Sequence, residues 1–192
     1  MKRLVPLVGT LLILFAIAAP IAVALREQRI TRNFAVVQPG VLYRSAQLPT
    51  RGLQRLYHDY GIRTVVCIRD ESAVVEAERA WCEANEIEFI RMPACNWNGP
   101  PGSAPIDTNL RNFLNVVRDP AKQPVLVHCF AGIHRTGGYV AIYRMAVEGW
   151  SNRDAIKEMR VMGYTDIDND RDIRDYLDAF RPSVLGSQTV QR

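Results

Sequence analysis

The stretch "PVLVHCFAGIHRTGGYVAIYRMAVEG", from Pro124 to Gly149, constrains the fold more than any other part of the chain. Apolar Val125 to Val127 reads as a short strand, and Thr136 to Glu148 reads as a helix opened by Gly137 and Gly138. Only a few residues separate them, with His128-Cys129 at one end and Arg135 at the other. A strand that feeds a helix through so short a loop belongs to a sheet with helical crossovers. In such sheets ligand sites gather at the C-terminal ends of the strands.

The rest of the chain repeats the alternation. Phe34 to Leu42 reads as extended structure broken by the turn pair Pro39-Gly40. Thr50 to Tyr60 has Leu53, Leu56, Tyr57 and Tyr60 on one helical face, and Gly61 stops it. Thr64 to Ile68 and Ile87 to Met92 read as strands, and Ser72 caps a helix that runs to Asn85. Helices follow at Asp107–Arg118, Ser151–Met162 and Asp168–Phe180. The expected class is α/β, a central and mostly parallel sheet flanked by helices on both faces.

The N-terminus reads differently. Leu4 to Leu25 is free of charge, preceded by Lys2 and Arg3 and followed by Arg26, Arg29 and Arg32. As a helix it would span roughly 33 Å at about 1.5 Å per residue, enough for a bilayer core of about 30 Å. The expectation is an N-terminal transmembrane helix, with a cleaved signal segment as the alternative because Ala22-Val23-Ala24 offers an A-x-A site. Basic residues at both ends leave the orientation open. The domain plan is therefore 1–25 anchor or signal segment, 26–33 linker, 34–181 a single catalytic domain and 182–192 a flexible tail. The protein would be single-pass, with the membrane as a partner.

Charge excludes one class of function. The formal net charge is +4. Of 24 basic residues, Lys2 and Arg3 precede the apolar segment, leaving 22 against 20 acidic, a net of +2. With no basic stripe and no interleaved aromatics, no nucleic-acid partner is expected. The four cysteines, Cys67, Cys82, Cys95 and Cys129, form no C-x-x-C pair, and His58, His128 and His134 do not stand at zinc spacings from them. No metal site is expected.

The loop after the strand carries the chemistry. A tight turn into a helix N-terminus aims several N–H groups at one point, with the helix dipole behind them. Residues Phe130, Ala131, Gly132, Ile133, His134 and Arg135 are thus the expected phosphate-binding set, Arg135 adding a planar fork for two oxygens. Cys129 at the start of the loop shares that positive potential, which favours the thiolate and makes it a nucleophile aimed at phosphorus. Thr136 can donate a hydroxyl hydrogen bond to the sulfur, and His128 shapes the loop.

The arrangement H-C-x-x-G-x-x-R-T has chance odds on the order of one in a million per start. It resembles the signature of the cysteine-based protein tyrosine phosphatase superfamily, in its compact dual-specificity-like branch. "VQPGVLYRSAQLPTRGLQRLYHDYGIRTVVCIRDE", Val37 to Glu71, is similar to the opening of bacterial and fungal members. The resemblance implies a phosphoric monoester hydrolase acting without metal or other cofactor through a phosphocysteine on Cys129. Its substrate would be a phosphorylated protein or a small phosphorylated molecule, phosphotyrosine-like first. Alternatives are an inositol pyrophosphate or phosphoinositide substrate, or a non-catalytic phosphate-binding module.

One part of the family pattern is missing. Members carry an aspartate general acid in the loop after the strand matching Ile87–Met92, and here "PACNWNGPPGSAP" has no carboxylate. Asp107 is the nearest, as an acid or as a helix N-cap. A missing acid tilts the substrate towards leaving groups that need little protonation, phenols and anhydrides. His134, just before Arg135, resembles the histidine of the fungal loops that act on inositol pyrophosphates. Cys67 resembles a cysteine that lipid-directed members use as a disulfide partner of the nucleophile, the other reading being a small buried hydrophobe. Arg44 and Arg69 are expected near the site, for substrate or for an ion pair such as one with Glu71. Trp97 either lines the pocket mouth or pins its loop. Asp166, Asp168 and Asp170 fail as a calcium loop and favour the N-terminus of the last helix.

Overall fold

The strand expected before the loop is the middle of a five-stranded sheet in the computed structural model, which describes residues 12–22 and 30–185. The strands are β1 (Ala35–Gln38), β2 (Leu42–Ala46), β3 (Thr64–Cys67), β4 (Glu88–Arg91) and β5 (Val125–Cys129), in the order β1-β2-β5-β3-β4. β2, β5, β3 and β4 are parallel, and β1 pairs antiparallel with β2 across the Pro39-Gly40 turn. The sheet is therefore mixed, a refinement of the mostly parallel sheet expected. All five residues of β5 are buried, as a strand flanked on both edges and covered on both faces must be.

Six helices cover the sheet: α1 (Thr50–Tyr60), α2 (Ala73–Ala84), α3 (Asp107–Arg118), α4 (His134–Ala146), α5 (Asn152–Val161) and α6 (Arg171–Ala179). Strand alternation sorts the core. Val125, Val127 and Cys129 point into the larger cluster with α3 to α6, and Leu126 points into the smaller one with Leu53 and Leu56 of α1 and Cys82 of α2. α1 ends at Gly61, whose φ of 63° admits the left-handed cap and lets its N–H reach Tyr57 O. α2 begins at Ser72, whose hydroxyl accepts from Val75 N–H at 3.4 Å. α4 is buried on every side from Thr136 to Met145, which is why its sequence is apolar all round.

The transmembrane anchor is corrected. No helix among the described residues is long and apolar enough to cross a membrane. The single-pass membrane location and the membrane as a partner lose their basis with it. Residues 1–11 and 23–29, part of the expected anchor, cleavage site and linker, lie outside the described residues. At the other end, Pro182–Leu185 forms a 3-10 turn whose Leu185 is buried, and residues 186–192 also lie outside.

Phe113 of α3 is fully buried and packs edge-on against Tyr139 of α4, with ring centroids 5.2 Å apart. Phe113→Ala should lower the urea unfolding free energy by about 3–5 kcal/mol. A loss below about 1 kcal/mol would contradict this packing.

Candidate active site

The loop between β5 and α4 is shaped by where its carbonyls go. Phe130 O accepts from Gln47 N–H at 3.1 Å, Ala131 O from Asn33 Nδ2 at 2.8 Å and Gly132 O from Arg44 Nη2 at 2.8 Å. All three donors stand outside the loop. Because a peptide's C=O and N–H point in opposite directions, fixing three carbonyls outward turns the N–H groups of Ala131, Gly132 and Ile133 inward. One of them is seen doing so: Gly132 N–H donates to Cys129 Sγ at 3.3 Å. Gly132 is required twice over. Its φ is +70°, and a Cβ there would lie 2.3 Å from Ser45 O.

Cys129 sits at the floor of this loop, buried. Burial alone would raise its pKa, but hydrogen bonds from the Thr136 hydroxyl and from the Thr136, Gly132 and Ala131 amides outweigh it and hold the thiol below its ordinary value. Thr136 Oγ1 is buried and makes no aligned hydrogen bond to another group among the described residues, which leaves its hydroxyl to the Cys129 sulfur. Behind the loop lies fully buried Arg44, whose pKa is lowered by desolvation against the opposing pull of Glu158 and Cys129. Arg44 is thus a brace and a buried positive charge, out of a substrate's reach.

Arg135 lines a cavity of about 370 Å³ with Ala94, Cys95, Asn96, Trp97, His134, Asp170 and Asp172. It forms no ion pair among the described residues. The long loop supplies one wall. Trp97 both lines that wall and pins it, buried edge-on against Tyr139 and Tyr176; a Cβ at Gly138 would sit 2.8 Å from its ring. On the opposite wall, His134 Nε2 lies 2.9 Å from Asp170 Oδ2, which also accepts from Tyr164 OH at 2.5 Å. Burial raises the Asp170 pKa, but the Tyr164 bond and the His134 charge prevail and lower it. Asp172 Oδ1 and Oδ2 each lie 2.6 Å from the Asn98 amide nitrogen, in the orientation that satisfies that side chain.

Asp107 is elsewhere. It is buried at the start of α3, its carboxylate accepting from Tyr176 OH at 2.5 Å and Gly102 N–H at 2.9 Å, so it fastens the long loop and does not line the cavity. Cys67 is also apart from the nucleophile. It is in register with His128 and shares its sheet face, whereas Cys129 points to the other face with Val127. A Cys67–Cys129 disulfide would require one side chain to cross the sheet. Arg69 donates to Gln47 Oε1 at 2.7 Å and stacks 5.3 Å from the Phe130 ring centre, while Glu71 pairs with Arg91 and Arg79.

His128 leads away from the cavity. Its Nδ1 is 3.3 Å from Cys129 O and its Nε2 is 3.1 Å from Glu78 Oε1, with both side chains almost fully buried. Burial would lower the His128 pKa, but Cys67 and Glu78 raise it to about 10. The sequence reading missed Glu78 and Asp172, and it gave Asp170 to the N-terminus of the last helix, not to the cavity wall beside His134. A signal existed for Glu78: it falls on the face of α2 that also buries Val75 and Cys82.

A thiol floor, an amide cradle and a trailing arginine at the end of a central strand define a cysteine-based phosphatase of the dual-specificity-like class. The family described as DSP-PTPase phosphatase fused to NAD+ Kinase matches residues 19–175, and the chain belongs to it. The dual specificity protein phosphatase TpbA of Pseudomonas aeruginosa is 31% identical over 137 residues, 71% of this chain and 57% of TpbA. The inositol diphosphatase DSP1 of Oryza sativa subsp. japonica is 35% identical over 112 residues, 58% of this chain and 49% of its own. The chain therefore spans about half the length of these curated relatives. Among solved structures, P. aeruginosa TpbA superposes with a TM-score of 0.63 at 27% identity, covering 80% of this chain and 88% of that one. The catalytic core of the PP-IP phosphatase SIW14 from S. cerevisiae gives 0.66 at 20% identity over 81% and 89%, a likeness of fold.

Thr136→Val removes the hydroxyl donor while keeping the shape. The midpoint pH of Cys129 alkylation by iodoacetamide, followed by mass spectrometry, should lie below that of an ordinary thiol and rise in this variant. An unchanged midpoint would remove Thr136 from the account.

Proposed function

We propose that the chain is a cysteine-dependent phosphatase of phosphate monoesters, phosphotyrosine-like ones first, working through a phosphocysteine. The observation that carries this reading is the Cys129 sulfur at the floor of a loop whose carbonyls are tied outward. The Cys129 thiolate attacks phosphorus in line, forming the S–P bond as the bond to the leaving oxygen breaks. The inward amides and the Arg135 fork hold the three equatorial oxygens. Water then attacks phosphorus, the S–P bond breaks and the thiolate returns to the Thr136 hydroxyl and the Gly132 amide.

The proton for the leaving oxygen needs a source, since the long loop carries no carboxylate. Asp170 and Asp172 are the carboxylates on the cavity wall. Asp170 already accepts from His134 and Tyr164, which holds it ionised. Asp172 accepts from the Asn98 amide and makes no ion pair among the described residues, and we assign the proton transfer to Asp172.

An aromatic substrate is supported by Phe130. It is 61% exposed on the anion loop, one residue after Cys129, and lies between the guanidinium groups of Arg32 and Arg69, 5.9 and 5.3 Å from its ring centre. A TpbA variant has been solved in complex with pTyr, which supports the same preference here. The likeness to the rice inositol diphosphatase, with the two rim arginines, favours an inositol pyrophosphate as the second reading.

The full chain in chelator should hydrolyse a phosphotyrosine peptide, and Cys129→Ser should abolish turnover while retaining vanadate binding. Turnover by neither form, with vanadate bound by both, would make the protein a phosphate-binding module. Faster turnover of a diphosphoinositol phosphate would put the second reading first. Asp172→Asn should slow a phosphoserine substrate about a hundredfold and p-nitrophenyl phosphate less than about tenfold, because the better leaving group needs the proton less. Equal losses on both would place the donor elsewhere.

A further inference from the structure

Behind the anion loop, on the opposite face of the sheet, Cys67 of β3, Glu78 of α2 and His128 of β5 converge, all three buried. A sulfur, a carboxylate oxygen and an imidazole nitrogen from these residues lie within 4.8 Å of one another. Nothing in the phosphatase chemistry calls for Cys67 or Glu78 there.

An ion pair alone does not account for the geometry. Glu78 Oε1 and His128 Nε2 are 3.1 Å apart, yet neither makes an aligned hydrogen bond, so two fully buried polar atoms flank a common point without facing each other. We propose that Cys67, Glu78 and His128 form a binding site for a divalent, borderline-soft cation, Zn²⁺ foremost, which clamps β3, β5 and α2 behind the active site.

The donor set and its spacing fit. Zn–N and Zn–O bonds of about 2.0–2.2 Å at a tetrahedral angle give an N···O edge of about 3.4 Å, close to the separation present. Thiolate with imidazole selects Zn²⁺ or Co²⁺ over Mg²⁺ or Ca²⁺. Zn²⁺ with one carboxylate, one thiolate and one neutral imidazole is neutral overall, so the filled buried position carries no uncompensated charge. Gln47 Nε2 donates to the other Glu78 oxygen at 2.5 Å and orients the carboxylate. Three protein donors leave one tetrahedral position for a water.

The test uses the full chain carrying Cys129→Ser, so that the active-site thiol cannot bind the probe. Titration with Co²⁺ should produce thiolate-to-metal charge-transfer absorption that saturates at one ion per chain, and Zn²⁺ should displace it and raise Tm. Adding Cys67→Ser should remove the absorption. Glu78→Gln in the Cys129→Ser background, which keeps the side-chain shape, should weaken Co²⁺ at least tenfold and stands in for the double variant if that one does not fold. Absence of the absorption in Cys129→Ser, its survival without Cys67, or an unchanged Co²⁺ affinity in Glu78→Gln would each overturn the proposal.

Discussion

The bond from Arg44 Nη2 to Gly132 O is the constraint on which the site depends. A loop that binds an anion must point several N–H groups the same way, which forces its carbonyls to point another way together. Left to water, those carbonyls would give the loop no single shape. Here they meet a backbone amide at Gln47, a side-chain amide at Asn33 and a guanidinium at Arg44. The last is the strongest because its donor is charged and fully buried. It also sets the field, since the same guanidinium is coupled to the charge on Cys129.

That arrangement explains the position of β2. Arg44 reaches the loop because β2 runs parallel beside β5, with Ala46 opposite Cys129. β1 lies antiparallel outside β2, and the segment before it carries Asn33, the donor to Ala131 O. The hairpin that makes the sheet mixed and the residues flanking it therefore bring all three donors, Asn33, Arg44 and Gln47, to the loop. An all-parallel edge would need a crossover helix where this chain has a three-residue turn, Pro39 to Val41.

The loop itself was legible in the sequence because its chemistry is local. Cys129, Gly132, Arg135 and Thr136 lie within one strand-to-helix turn, and their spacing implies their geometry. What was hidden is what sequence distance hides. Arg44 and Gly132 are 88 positions apart, and His134 and Asp170 are 36 apart, so no periodicity links them. The extended reading stopped at Leu42, short of the rest of β2, because "LYRSA" buries a charged arginine and a serine, against the usual composition of an interior strand. The apolar N-terminal run misled in the opposite direction. Hydropathy reports that a segment avoids water, and no helix among the described residues is long and apolar enough to cross a bilayer.

The two faces of the sheet end in opposite relations to water. On one, Cys129 lies at the floor of the anion loop and Arg135 lines an open cavity. On the other, His128 is one residue away but sealed under α2, with Glu78 as its counter-charge. Removing either partner would leave a charge stranded in the interior, which costs several kcal/mol. Gln47 extends the contact outward: one end of its amide holds Glu78, the other accepts from Arg69, and Arg69 lies against Phe130 at the mouth. A single chain of polar contacts thus runs from the rim of the pocket to the sealed face. The buried group of Cys67, Glu78 and His128 is thus joined through Gln47 and Arg69 to the exposed Phe130 ring of the anion loop.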